Sequence, residues 1–323
     1  MALDRLDKMV LAELDRNARA NNSEIARKLR INKGVVAYRI KNLEKDGIIR
    51  GYYAIIDTFK LGYLSYRLYL KLQYSSPAKQ KEIMGYLIGS NSVWWAGLIG
   101  GRFNIAALLW ARDQNEIVRF WNEFNAKFRA NIADSRISLY HGLEHYPLPF
   151  AKQISGRKSK PESIGLGTIA KIDQTDAKLL KIISGNARMP LLEIAKLMNL
   201  TPAAVRYRMK QLLKKRVIVA YRAIVAMDKL GYSLYKVDFN LKDMSAYPQM
   251  LEFARQSPNV FYVDKSIGWA DFEIEVYAQT TAEFYSFLEG FRTKFADSIR
   301  DYDFFAYSKI TKLLYVPEDL SGN

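Results

Sequence analysis

Two stretches of this chain, each about 70 residues long, align without a gap at a constant offset of 169, so whatever one adopts the other must adopt too. Asp7 falls on Asp176, Asn17-Ala18-Arg19 on Asn186-Ala187-Arg188, Glu24-Ile25-Ala26 on Glu193-Ile194-Ala195, Tyr38-Arg39 on Tyr207-Arg208, and Leu61-Gly62-Tyr63 on Leu230-Gly231-Tyr232. Solenoid units run about 20 to 50 residues, far shorter than this period. The sequence is a duplicated protein rather than an array. Beyond residue 72 the spacing drifts, yet both copies still pass through a glycine turn, at Gly101 and Gly268, followed by a long amphipathic stretch and an apolar strand.

Each copy opens with three short helical patterns. Leu6, Met9, Val10 and Leu14, matched by Leu179, Ile182 and Ile183, recur at helical spacing. A second helix follows over 23–29, with Ser23 as its expected N-cap. A third starts near Lys33 with Val36, Ile40 and Leu43 as its buried stripe, matched after Thr201-Pro202 by Val205, Met209 and Leu212. Two helices joined by a tight turn, the second one basic, form a helix-turn-helix, and 48–52 and 217–221 then read as wing strands. From Tyr63 the period changes to two. Leu64, Tyr66, Leu68, Leu70 and Leu72 alternate with Ser65, Arg67, Tyr69, Lys71 and Gln73, and the second copy does the same. The remaining order, helix, strand pair across the glycine turn, helix and strand, is the βαββαβ ferredoxin-like unit. The fold class is α+β, with a winged helix-turn-helix at 1–52, a ferredoxin-like domain at 53–150, a Gly, Ser and Lys-rich flexible linker at 151–170, a second winged helix-turn-helix at 171–221 and a second ferredoxin-like domain at 222–323.

The net charge of +16 is unevenly placed. Residues 1–50 carry +5 and 171–222 carry +9, whereas 51–150 carry +4 and 223–323 carry −5. Charge gathered on two helical segments suits a polyphosphate partner. The opposite charges of the ferredoxin-like halves, with Arg67 and Lys71 on one polar strand face and Asp238 on the other, favour pairing of the two halves within one chain. There are no cysteines and two histidines, so thiolate metal sites are excluded, and neither a metal nor a cofactor is expected. With no signal-peptide core and no membrane-length apolar run, a cytoplasmic protein without membrane association is expected.

The stretches LDRLDKMVLAELDRNARANNSEIARKLRINKGVVAYRIKNLEKDGIIRGYYAIID and IDQTDAKLLKIISGNARMPLLEIAKLMNLTPAAVRYRMKQLLKKRVIVAYRAIV resemble the Lrp/AsnC family of feast/famine transcriptional regulators. The likeness lies in an opening Leu-Asp with a further Asp, an ILA-like helix, a V-x-x-R recognition helix and a closing Gly-x-Ile turn. The second copy has Arg216 where the family's glycine would stand. The resemblance implies a sequence-specific regulator that binds double-stranded DNA as a covalent pseudo-dimer, with assembly into larger homo-oligomers as in the family. It also implies an amino-acid effector at a Gly-x-x-Asp turn of the C-terminal domain. Here that turn reads Gly101-Arg102-Phe103-Asn104 and Gly268-Trp269-Ala270-Asp271, which makes Gly268, Trp269, Asp271, Gly101 and Asn104 the candidate effector residues. The alternative, that each glycine serves only a hairpin, stays open.

Turning the apolar stripes inward sends Gly34, Tyr38, Lys41, Asn42 and Lys45 outward in the first copy and Ala203, Tyr207, Lys210, Gln211 and Lys214 in the second, with Lys33 and Thr201 at the helix starts. Tyr38, Asn42, Arg206, Tyr207 and Gln211 are the expected base readers. Arg39, Lys41, Arg208, Lys210 and Lys214 are the expected phosphate contacts. Arg39 and Arg208 flank the stripe, so a structural role for them is equally open. Arg19 and Arg188 are expected to cap their first helices. His141 and His145 lie on a strand rather than a helix and suggest no metal site. The rival readings are a siroheme-decarboxylase-like enzyme, which some similar two-copy proteins are, and a small-molecule sensor. The decarboxylase chemistry would need His and Arg near the glycine turn, where this chain has Trp94, Trp95 and Trp269.

Overall fold

The structure, a computed structural model, describes residues 3–155, 161–165 and 167–322. The first copy comprises α1 (Arg5–Arg16), α2 (Asn22–Leu29), α3 (Lys33–Lys45), β1 (Ile49–Ile56), β2 (Leu64–Leu72), α4 (Pro77–Gly89), β3 (Val93–Gly100), β4 (Ile105–Ala111), α5 (Gln114–Phe128) and β5 (Ile132–His145). Between the copies lie α6 (Pro149–Ser155) and β6 (Glu162–Gly165). The second copy repeats the order as α7 (Gln174–Gly185), α8 (Leu191–Met198), α9 (Pro202–Lys214), β7 (Ile218–Val225), β8 (Ser233–Leu241), α10 (Tyr247–Gln256), β9 (Val260–Ile267), β10 (Phe272–Ala278), α11 (Thr281–Lys294) and β11 (Ile299–Leu313).

Helix starts follow from side chains that satisfy otherwise unpaired amides. Asp4 with Asp7, and Asp173 with Asp176, form matching capping boxes on α1 and α7. α2 is capped by Asn21 with Glu24, not by Ser23 as expected, because Asn21 and Glu24 satisfy each other's backbone amides. The turn after α3 uses Gly47 at φ +64°, and the equivalent Arg216 adopts φ +56°, so the turn keeps its shape without its glycine.

Two sets of cross-copy pairings join the halves. The expected wing strands extend further than the sequence suggested and pair with each other, β1 against β7 antiparallel, with Tyr53 opposite Arg222 and Ala54 opposite Tyr221. This ribbon sits among the three-helix units, whose buried residues merge into one core containing Leu14, Ile40, Leu43, Ile183, Met209 and Leu212. The ferredoxin-like sheets then join at both edges. β5 pairs with its own β2 and with β9 of the other copy, and β11 pairs with its own β8 and with β3. The result is a closed antiparallel ring, β2-β4-β3-β11-β8-β10-β9-β5, which leaves no unpaired edge within it. Helices α4 and α5 cover one outer face, and α10 and α11 the other.

The 151–170 segment departs from a flexible linker. α6 packs against α1, and Leu148, Phe150 and Ala151 join the helical core. Further along, β6 bonds to the end of β5. Composition concealed these tertiary contacts; residues 156–160 and 166 lie outside the described residues.

Inside the ring the polar strand faces meet. Arg67 pairs with Glu273 and with Asp264 at 2.6 Å, while Lys236 reaches Glu273 at 2.6 Å and Asp264 and Asp238 at 3.0 Å. All five side chains are buried. The expected attraction of Arg67 to the second copy is present, but its partners are Asp264 and Glu273 rather than Asp238, and Lys71 stays exposed. Burial pushes the Glu273 carboxyl up, but Arg67 and Lys236 outweigh it and hold it at about 2.

Candidate nucleic-acid interface

The recognition helices present the same apolar face inward in both copies. Val36, Ile40 and Leu43 on α3, and Val205, Met209 and Leu212 on α9, are buried, as their spacing requires. Asn32 caps α3 by accepting from the Gly34 amide at 2.7 Å, and Thr201 caps α9 by accepting from the Ala204 amide at 3.2 Å. The opposite faces are open to solvent. Tyr38 is 67% exposed and Tyr207 64%, more than buried packing would leave to an aromatic side chain. Lys33, Gly34, Lys41 and Lys45, and likewise Thr201, Ala203, Arg206, Lys210 and Lys214, are exposed, while Asn42 and Gln211 are half-buried beside them.

Arg39 and Arg208 are placed differently. Arg39 donates to Asp4 at 2.6 Å and Asp7 at 2.7 Å, and Arg208 to Asp173 at 2.8 Å and Asp176 at 2.7 Å. The paired aspartates of each opening helix therefore do two jobs, capping that helix and clamping the recognition helix. The Asp7 amide and then Arg39 hold the Asp4 carboxyl below its usual range, against the opposing pull of desolvation. Both arginines are thus tied to the opening helix of their own copy.

Arg19 and Arg188 do not cap their own helices. Arg19 donates to the carbonyls of Ala187 at 2.5 Å and Met189 at 3.3 Å, and Arg188 to those of Ala18 at 2.8 Å and Ala20 at 3.1 Å. The sequence reading also passed over Arg30, exposed at the turn into the recognition helix. It occupies a left-handed position at φ +56° that Asn199 fills at φ +54° in the second copy. The Asn at the equivalent position was the available signal, since that residue tolerates this conformation.

At the two glycine turns, Asn104 accepts the Leu72 amide at 2.8 Å and Asp271 the Leu241 amide at 2.8 Å. Asn and Asp perform the same backbone clamp, so the missing aspartate of the first copy costs the turn nothing. The two glycines stand in left-handed backbone, Gly101 at φ +125° and Gly268 at φ +91°. Trp269 turns inward, donating to Asp238 at 2.7 Å and packing 5.0 Å from the Tyr69 ring. A cleft of about 520 Å3 opens beside Gly268, lined by Arg102 and Arg136 of one copy and Asn240, Trp269, Asp301 and Asp303 of the other. Among the described residues no cluster of His, Asp and Glu could hold a metal, and His145 is packed between Phe261 and Tyr262. No helix is long and apolar enough to cross a membrane.

Comparison with known proteins follows the same division. A winged helix-turn-helix DNA-binding family matches residues 3–50 and again 172–219. An uncharacterized HTH-type transcriptional regulator of Pyrococcus horikoshii is 31% identical over 125 residues, which cover 39% of this chain and 78% of the relative. The HTH-type transcriptional regulator LrpA of the same organism is 36% identical over 115 residues, covering 36% of this chain and 80% of LrpA. Among solved structures the siroheme decarboxylase NirDL superposes with a TM-score of 0.66 over 96% of this chain and 93% of its own, at 15% identity. That is a likeness of fold, and it extends to both copies.

Proposed function

The chain belongs to the Lrp/AsnC family of transcriptional regulators, and from this we propose that it binds double-stranded DNA sequence-specifically as a covalent pseudo-dimer that presents two unlike recognition helices. The observation that carries this reading is the solvent-facing surface of α3 and α9. Tyr38, Lys41, Asn42 and Lys45 stand there in one copy, and Arg206, Tyr207, Lys210, Gln211 and Lys214 in the other. Asn and Gln have the paired donor and acceptor that match an adenine edge, Arg matches guanine, and lysines neutralise phosphates. The test is the salt dependence of binding by the whole chain. With about eight phosphates neutralised, the log-log slope should lie near −7, and a slope near zero would remove the proposal.

An amino-acid effector is proposed for the cleft beside Gly268. Its two arginines offer a site for a carboxylate, and Asp301 and Asp303 one for an ammonium group. Gly101, Asn104 and Asp271 act there through the turn backbone rather than by touching the ligand. Pairs of such chains assembling into larger oligomers belong to the same proposal, and the molar mass in solution tests it.

The fold likeness to NirDL, also solved with an iron-uroporphyrin III analogue, supplies a second reading as a tetrapyrrole decarboxylase. The chemistry of the interior opposes it. A cavity of about 780 Å3 between ribbon and ring is walled by Asp15, Asp228, Asp264 and Glu275 against Arg50, Arg67 and Lys309. A ligand edged with carboxylates would find Arg67 already held by Asp264 and Glu273, and Arg50 by Asp228. The family proposal is therefore a regulator without catalysis, and an unchanged absorption spectrum on mixing with iron uroporphyrin III is the expected result.

A further inference from the structure

The cavity beneath the wing ribbon has a chemistry of its own. Its walls come from both halves of the fold, with Ile55 and Val225 from the paired wing strands and Ser65, Trp95, Tyr140 and Tyr307 from the ring. Aromatic side chains form a large share of the lining: Tyr53, Trp94, Trp95, Tyr262, Tyr307 and Tyr315 all contribute.

Most charged groups in the wall are already committed. Asp15 pairs with Arg222, Asp228 with Arg50, and Asp264 with Arg67 and Lys236. Glu275 differs. It is 8% exposed, and its hydrogen bond comes from the Tyr307 hydroxyl at 2.6 Å, with no cationic partner among the described residues. The groups acting on it are Lys236 on β8, Tyr262 and Asp264 on β9, Tyr307 on β11, Arg67 on β2, Tyr140 on β5 and Tyr277 on its own strand, and both cations among them are held by Asp264 and Glu273. Burial first, and Asp264 next, push the Glu275 carboxyl up to about 8. Two further groups in the wall have no hydrogen-bond partner among the described residues: Tyr69 Oη and His145 Nε2, on side chains 1% and 2% exposed. Buried polar atoms are seldom left so unless a ligand or water meets them.

We propose that this cavity binds a small organic cation, an aromatic or alkyl ammonium, whose charge is met by Glu275 and the surrounding ring faces while Tyr69 and His145 remain for its polar substituents. Tryptophan and tyrosine faces attract a desolvated cation and repel an anion, and a carboxyl with no cationic partner supplies the counter-charge. The occupant would touch the wing ribbon and the ring together, so it would couple the DNA-binding half to the barrel-like half. This site is distinct from the cleft at Gly268 and does not depend on it.

The test is calorimetry on the full chain with three probes of similar size: 2-phenylethylammonium, neutral 2-phenylethanol and anionic phenylacetate. The ammonium should bind at least about tenfold more tightly than either of the others. Binding ionises Glu275, so below pH 8 it should release a proton, shown by a heat that varies with the buffer, and affinity should rise by up to about tenfold per pH unit between pH 6 and 8. Glu275→Gln should erase both the preference and the pH dependence, while Trp95→Leu should weaken binding and leave the pH dependence in place. Equal binding of the three probes, preference for the anion, no binding of the ammonium at millimolar concentration, or an unchanged preference in Glu275→Gln would each overturn the proposal. Should Glu275→Gln not fold, the probe preference and proton release of the unaltered chain decide the matter.

Discussion

Arg19 and Arg188 each reach across to the other copy, and each donates to two backbone carbonyls there, at Ala187 and Met189 for the first and at Ala18 and Ala20 for the second. Each guanidinium also lies over a tyrosine of the opposite copy's wing strand, Arg19 5.7 Å from the Tyr221 ring centre and Arg188 5.1 Å from that of Tyr52. The exchange ties the two copies to each other reciprocally. Removing either arginine leaves two part-buried carbonyls without a donor, so Arg19→Ala and Arg188→Ala should each cost about 1.5–3 kcal/mol in denaturant unfolding. Lysine should not restore the loss, because one ammonium lacks the planar fork and ring stacking. A loss below the error of the unfolding curve would show the exchange to be incidental.

The recognition-helix arginines and lysines should separate in their effects. Arg39→Ala and Arg208→Ala break clamps to paired aspartates and should lower stability by up to about 1 kcal/mol, with the salt slope of DNA binding little changed. Lys210→Ala and Lys214→Ala should each reduce that slope by about 1 and leave the melting temperature alone. Slopes from titrations at several salt concentrations check both halves of this expectation.

Arg216 holds a left-handed backbone position that its counterpart Gly47 takes without steric cost. Arg216→Gly should therefore stabilise the chain by about 0.5–1 kcal/mol. Gly47→Ala should destabilise it, since a Cβ is strained in the left-handed backbone at φ +64°. Paired thermal melts of the two variants give the signs directly.

Glu275 makes stability depend on pH in a defined direction. Its folded carboxyl titrates at about 8, above an unfolded value near 4.5, so the folded state binds more protons between these limits. Its contribution must decline as pH rises from 5 to 8. His145, buried and held well below its usual range by desolvation, acts in the opposite sense. The difference between the unaltered chain and Glu275→Gln isolates the carboxyl, and Glu275→Gln should gain relative stability as pH rises. A difference that is flat from pH 5 to 8 would refute the assignment.

Much of this architecture was legible because it is local. Helical spacing on α3 and α9, alternation along β2 and the 169-residue repeat each place side chains through neighbours a few residues away, and the structure keeps those faces. What escaped the sequence is non-local. Arg19 and Arg188 sit at a helix end in sequence, yet their acceptors lie about 169 residues away. The 162–165 strand has the composition of a linker and gains its order from β5, with Glu162 bonded to Arg222 and the Gly165 amide to Asp57. Charge alternation on β2 pointed Arg67 at the other copy, but the choice of Asp264 and Glu273 over Asp238 depends on strand register, which no periodicity contains. The Asn104 and Asp271 clamps were hidden for the opposite reason, since a family likeness drew attention to a ligand where the nearer partner is a backbone amide.

The most direct measurement is selection of DNA by the whole chain from a pool of random duplexes. α3 and α9 differ along their exposed faces, Gly34 and Asn42 against Ala203 and Gln211, with Arg206 present in the second copy where the first has Ala37. One chain presenting both helices should recover a site with two unlike half-sites, and Arg206→Ala should relax one half-site while sparing the other. Recovery of a perfect palindrome would mean that two chains present the same copy, and no enrichment over random sequence would contradict specific DNA recognition altogether.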